Sequence, residues 1–222
     1  MRSKSIREHL ERLPEDERDF AELKLHMLSR LWTWEFVPET CEQVQREMEV
    51  EHGVDRLFRA LNCHKDIFTS DSCGGHVYNK RDRAFCTGRR KFADGHCATP
   101  GYVSGYIRCG EGTDEEFIEL LDKATRDLKH ITFSAGRCRP GEKWTTFRIE
   151  GRYLPAERKR MNAVDWAREM WSEFDTLAQR VEEWVKSTGE IDECFCVEPV
   201  SRLEELLKRA EEVVKGLRRG WV

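Results

Sequence analysis

Apolar positions recur at two different spacings along this chain, and the change of spacing divides it. Phe20, Leu23, Met27, Leu31 and Trp34 follow one another at three- and four-residue steps, which predicts a long helix that Pro14 opens and Pro38 ends. Thr40 with Gln43 is a capping-box signal for a second helix carrying Cys41, Val44 and Met48. A third helix follows Gly53, with Val54, Leu57, Phe58 and Leu61 on one side. Strand-like runs then take over. Ile67-Phe68 enters and Val77-Tyr78 leaves a stretch of small polar residues, which predicts two strands joined by a small-residue loop. Tyr102 to Ile107, His130 to Ser134 and Trp144 to Ile149 read as further strands, with Thr145, Phe147 and Ile149 on one face. Between the first two lies a helix marked by Thr113 and Glu116 as a capping box, with Phe117, Leu120, Leu121, Ala124 and Leu128 as its apolar face. The last third is helical: Val164, Trp171, Phe174, Ala178, Val181 and Val185 form a stripe wide enough to bury against a sheet or helix. A short strand over Ile191–Val197 and a capped helix from Ser201 to Leu217 complete the reading.

This order predicts an α+β fold: a mixed, largely antiparallel sheet flanked by helices, with extra N- and C-terminal helices. Three parts are expected: a helical extension over 1–51, a core domain over 52–190, and a C-terminal strand and helix over 191–222 that packs on the core. The chain has 222 residues, enough for one sizeable domain with appendages. It holds no apolar run long enough to span a membrane, and its charged start lacks the apolar stretch of a secretory signal, so the expected location is cytoplasmic.

Charge changes the picture. The formal net charge of −4 hides a basic centre: residues 52–160 carry +6, while 1–51 and 161–222 carry −5 each. Such asymmetry points weakly toward a polyanionic partner. Arg81, Arg83, Arg89, Arg90 and Lys91 are interleaved with Phe85 and Phe92, and Lys143 continues the set on a later hairpin. Basic groups contact phosphates and aromatic faces stack on unpaired bases; a solvated charged face is the alternative. Charged residues reach 36% while Asn and Gln number three each, a composition that fits a thermophile.

The stretch Thr69-Ser70-Asp71-Ser72-Cys73-Gly74-Gly75-His76 holds hydroxyls, a thiol, two glycines and an imidazole. Glycines admit close approach of a ligand to the backbone, successive amides can cradle an anion, and the side chains supply donors and a base. A tight turn with a satisfied polar cluster is the alternative. The nine cysteines include Cys63-His64, Cys73-x-x-His76, Cys86, His96-Cys97 and Cys109 within 47 residues, but only Cys73 and His76 have ligand-like spacing, and no metal is assigned. An odd count leaves at least one thiol outside any internal disulfide. No GxGxxG or GxxxxGK[ST] occurs in a fitting context, so neither a standard dinucleotide fold nor a P-loop is supported.

Phe68-Thr69-Ser70-Asp71-Ser72-Cys73-Gly74-Gly75 resembles the Ser-Cys-Ser-Gly-Arg loop of the tRNA wybutosine-synthesizing protein three family, and the order of elements over roughly 52–186 agrees. The resemblance implies a methyltransferase that uses S-adenosylmethionine and acts on a wyosine precursor beside the anticodon of phenylalanine tRNA. On this expectation Ser70, Ser72, Gly74, Gly75 and Arg108 surround the cofactor and Cys73 and His76 are the catalytic groups; the basic residues Arg81, Arg83, Arg89, Arg90, Lys91 and Lys143, read from charge alone because the insertion from Arg81 to Thr99 has no family counterpart, are expected on the tRNA. The chain departs from the family where Gly74-Gly75-His76 replaces Ser-Gly-Arg, and where Arg108 stands in place of a histidine. Two alternatives accompany this expectation: an RNA-binding protein that keeps the fold without catalysis, and a metal-stabilised interaction module.

Overall fold

The structure is a computed structural model, and it describes residues 11–29, 53–78, 91–110, 112–139, 141–152 and 160–192. Among these, α1 (Glu15–Ser29) and α2 (Asp55–Asn62) precede β1 (Ile67–Cys73), β2 (His76–Tyr78), β3 (Cys97–Thr99) and β4 (Tyr102–Arg108). Then come α3 (Thr113–Arg126), β5 (Ile131–Ala135), β6 (Trp144–Gly151) and α4 (Ala163–Thr188). The fold is α+β, as expected. A four-stranded sheet runs in the order β1-β4-β6-β5, β2 and β3 form a separate ribbon, and every described pairing is antiparallel. No helix among the described residues is long and apolar enough to cross a membrane.

Alternation sets the two faces of the sheet. Val103, Gly105 and Ile107 of β4, with Thr145, Phe147 and Ile149 of β6, are buried on the inner face. There they meet the apolar sides of α2, α3 and α4: Leu57, Leu61, Phe117, Leu121, Phe174, Leu177 and Val181 are all buried in one core. The aromatic stripe of the last third is thus core, as one of its readings held. Arg56 of α2 pairs with Glu182 (2.7 Å) and Asp175 (3.0 Å) of α4, and Glu173 of α4 accepts the backbone N–H groups of Lys129 and His130. α4 starts where the Asp94 carboxylate accepts the Ala163 N–H, and ends at Gly189 in the left-handed region.

The first helix is tied into this body. Phe20 packs on Phe68 at 5.2 Å, and Phe68 stacks on Tyr106. Lys24 is fully buried; its ammonium donates to the Asn62 and His64 carbonyls at the end of α2 and lies 3.5 Å from Asp192. A cation at a helix C-terminus satisfies carbonyls that the helix itself leaves over. Beyond α4, Ile191 bridges His64 and the Asp192 N–H donates to the Cys63 carbonyl.

Two local expectations change. The Thr113–Glu116 capping box is not how α3 begins: Gly112, at φ 86, is the N-cap, and the Glu116 N–H bonds its carbonyl. β3 went unread, because its three residues carry no alternating pattern and pair with β2 across some twenty intervening positions. The predicted helices at 40–48 and 201–217 lie outside the described residues, as does the predicted strand over 191–197 beyond Asp192, with Ile191 forming a single bridge to His64.

Candidate functional site at the open end of the sheet

On the outer face stand Tyr102, Ser104, Tyr106 and Arg108 of β4, Trp144, Thr146, Arg148 and Glu150 of β6, and Thr132 and Ser134 of β5. α1 covers the Phe68–Tyr106 end. Among the described residues the opposite end is open, and there Asp71 and Cys73 of β1 join the face, because Asp71 pairs with Ser104 and Cys73 with Tyr102. The register shift between Thr69 and Asp71 puts them there: Ser70 bulges, and its hydroxyl turns to the Ser104 carbonyl at 3.4 Å.

Cys73 Sγ and His76 Nε2 are 3.6 Å apart, and the Gly75 N–H donates to the same sulfur at 3.4 Å. A thiol that faces an imidazole and a backbone donor has the surroundings a thiolate uses. Beside it the Tyr102 phenol donates to Asp71 at 2.7 Å, while the Arg148 guanidinium lies 4.2 Å from the centre of the Tyr102 ring and pairs with Glu150. The hydrogen bond to Asp71, then burial, pushes the Tyr102 phenol up to about 12, so it stays a neutral donor. The corner therefore presents a thiol–imidazole pair, two carboxylates and an arginine-stacked aromatic ring.

The glycine turn does something other than cradle a ligand. A Cβ on Gly75 (φ +79) would lie 2.6 Å from the Thr99 carbonyl and 2.7 Å from the Gly101 nitrogen, and one on Gly101 would lie 2.9 Å from the Cys73 and Gly74 carbonyls. The space the glycines open is filled by the chain's own crossing strands. The polar groups of the turn and its neighbour are used as well: the His76 N–H goes to the Thr99 hydroxyl, the Gly101 N–H to Met170 Sδ, and the Gly74 carbonyl accepts the buried Trp171 indole N–H at 2.6 Å. The satisfied-turn reading describes residues 73–76 themselves.

The residues expected around a cofactor do not converge. Ser72 pairs with Val103 and so belongs to the inner side of the strand pair. Arg108 sits at the far end of β4, opposite Trp144, where it pairs with Asp66 and reaches toward Glu17. Six residue steps separate it from Tyr102, about 20 Å of strand. Sequence reading set it beside the loop because neighbouring strands were paired without a register. Lys91 is exposed just before β3, whereas Lys143 lies at the far end of the sheet, 3.2 Å from Asp19. Arg81, Arg83, Arg89 and Arg90 fall outside the described residues. Cys63-His64, Cys73-His76 and His96-Cys97 form no group of three ligands among the described residues; Cys97 is fully buried and His96 Nδ1 faces the Tyr78 carbonyl.

Sequence reading missed Asp71, Tyr102 and Arg148 as one cluster. The alternation Tyr102-Val103-Ser104-Gly105-Tyr106 carried the signal that an aromatic and polar face stays outside. A groove of about 530 Å³ lies elsewhere, between α3 and α4, lined by Lys123, Arg180, Glu183 and Trp184 among others. Among the described residues the structure thus defines an antiparallel sheet layered on helices, with an aromatic and charged face left open beyond the end that α1 covers. Comparison with family models, curated proteins and solved structures returns no match.

Proposed function

We propose that the protein is an RNA-directed methyltransferase, with the open face of the sheet as its nucleotide platform and the Cys73–His76 corner as its reacting end. One observation carries the reading. The strand register sets the thiol–imidazole pair directly beside Tyr102, on a face where Arg148 already stacks on that ring. A four-stranded antiparallel sheet with half-buried aromatic rings on its outer face suits unpaired bases, and an arginine in the stack adds cation–π attraction and a phosphate contact. The loop resemblance and the agreement in element order support methyl transfer as the chemistry.

S-adenosylmethionine fits the open face better than the turn. The turn amides are spent internally, whereas Asp71 and Glu150 are acceptors suited to ribose hydroxyls. When bound, the cofactor supplies a methyl group carried on a sulfonium. The chain's own part is to hold a base flat against Tyr102, to orient it with Arg148, and to take a proton on the His76 ring. Positioning is the main catalytic term in this account.

A second reading is RNA binding without chemistry, favoured by the filled turn at Gly75 and Gly101. Two titrations separate the readings. Unfractionated tRNA should bind with strong salt dependence, and Tyr102→Ala should weaken it by about 5- to 150-fold, the loss of one stacked base. Calorimetry with S-adenosylmethionine should show binding that weakens in His76→Ala. Intact tRNA binding with no cofactor binding, tRNA present or absent, leaves the second reading. Loss of neither ligand in Tyr102→Ala or His76→Ala removes the site.

A further inference from the structure

The far end of the sheet holds chemistry that the RNA reading does not use. Cys109 directly follows β4, Cys138 lies between β5 and β6, and the two form a disulfide with Cα atoms 5.9 Å apart. The Asp114 carboxylate, from the first turn of α3, stands with them: it and the two sulfurs all lie within 4.8 Å of one another. Among the described residues no other group of three metal-ligating side chains is this close. All three are half-buried.

A disulfide accounts for two sulfurs and leaves the carboxylate unexplained. The helix dipole favours acids in the first turn of α3, and Asp114, Glu115 and Glu116 all sit there. Glu115 and Glu116 are exposed; Asp114 is the one turned toward the sulfurs. The chain bends around Cys109 through Gly110 (φ 139) and Gly112 (φ 86), where a Cβ would meet nothing within 4 Å. Packing does not demand glycine there; the path of the chain past the sulfurs does. The Cys109 N–H donates to the Lys143 carbonyl at 2.9 Å, which anchors the cluster to the start of β6.

We propose that the reduced pair Cys109 and Cys138, with Asp114, binds a zinc ion. Two thiolates and a carboxylate form a borderline-soft set that suits Zn²⁺, with the fourth tetrahedral position left to water. Tetrahedral zinc holds two thiolate sulfurs about 3.8 Å apart, which side-chain rotation from the disulfide reaches without moving the strands far. The helix N-terminus favours the thiolates. The two states exclude each other. A dithiol of the thioredoxin class, itself oxidised to a disulfide, delivers two electrons and two protons and opens the bridge to two thiols. Zn²⁺ then takes both sulfurs and releases both protons to solvent. Either state ties the β4–α3 connection to the β5–β6 connection.

The test titrates Zn²⁺ and, as a spectroscopic probe, Co²⁺ into the full chain, reduced with a phosphine under nitrogen, against the air-oxidised chain and two variants. Reduced wild type should show the thiolate-to-cobalt charge-transfer band and tetrahedral visible bands, and Zn²⁺ should displace them. Oxidised protein should show none of these. Cys138→Ser should abolish the bands, and Asp114→Asn should weaken zinc binding at least tenfold, with helix content by circular dichroism unchanged in the latter. No metal binding by reduced wild type overturns the proposal. So does binding that Cys138→Ser leaves unaltered, which would assign the metal to other cysteines, or binding that Asp114→Asn leaves unaltered.

Discussion

Lowering the pH from 6.5 to about 4 should remove roughly 3 kcal/mol of stability through His64 alone. The ring is fully buried, and burial is the main reason its pKa falls to about 4; the Lys24 ammonium adds to the effect, Glu190 opposes it, and Lys65 and Arg108 act with Lys24. His64 Nδ1 accepts the Asp66 N–H at 3.1 Å, its Nε2 has no hydrogen-bond partner among the described residues, and the ring stacks on Trp184 at 4.7 Å. The unfolded imidazole takes up its proton near 6.5 and the folded one only near 4. Between those values the unfolded chain holds more protons, so stability is complete above 6.5 and falls as the pH falls. Urea unfolding followed by tryptophan fluorescence over a pH series, for wild type and His64→Phe, isolates this group. The phenyl ring keeps the stack but loses the acceptor for Asp66, so the variant should start about 1–3 kcal/mol less stable at neutral pH. Its stability should then fall less steeply with acid, by up to about 1.4 kcal/mol per pH unit. Parallel pH curves for the two proteins would refute the reasoning.

Three further substitutions probe the frame around the site. Lys24→Met removes the cation beside Asp192 and the ammonium donor to the Asn62 carbonyl, while the His64 carbonyl keeps the Ile67 N–H, and should cost about 3–5 kcal/mol in urea unfolding; adding Asp192→Asn should recover part of that loss. Trp171→Phe leaves the Gly74 carbonyl without its donor and should cost about 1–3 kcal/mol, read as a lowered melting temperature. Gly75→Ala pushes a methyl group against the Thr99 and Gly101 backbone from a left-handed conformation; it should destabilise by about 1–3 kcal/mol or more and should reduce tRNA binding by misplacing His76.

What the sequence made legible is what periodicity encodes. The strand at Tyr102, the helix face from Phe117 to Leu128, and the alternation of Thr145, Phe147 and Ile149 each state their own partner face, and the structure buries them accordingly. The polar interior was not legible. Nothing in the spacing of Lys24, Asn62, His64, Asp66 and Asp192 reveals that they meet, because they come from three places in the chain and satisfy one another only after it folds. The site was half legible for the same reason. Cys73 and His76 are close in sequence, and their contact across the turn is local. Tyr102 and Arg148 reach them only through the β1-β4-β6 register, and that register also carries Arg108 to the other end. The glycines suggest room for a ligand; the strand that fills that room lies more than twenty residues away.

The open sheet face as an RNA platform is the central claim, and photocrosslinking tests it most directly. Unfractionated tRNA carrying a photoreactive uridine would be irradiated with the protein, and the crosslinked peptides mapped by mass spectrometry. The account predicts crosslinks on Tyr102 and Cys73, with others along β6 near Arg148, and their loss in Tyr102→Ala. Crosslinks confined to the groove between α3 and α4, or spread evenly over lysines irrespective of face, would contradict it.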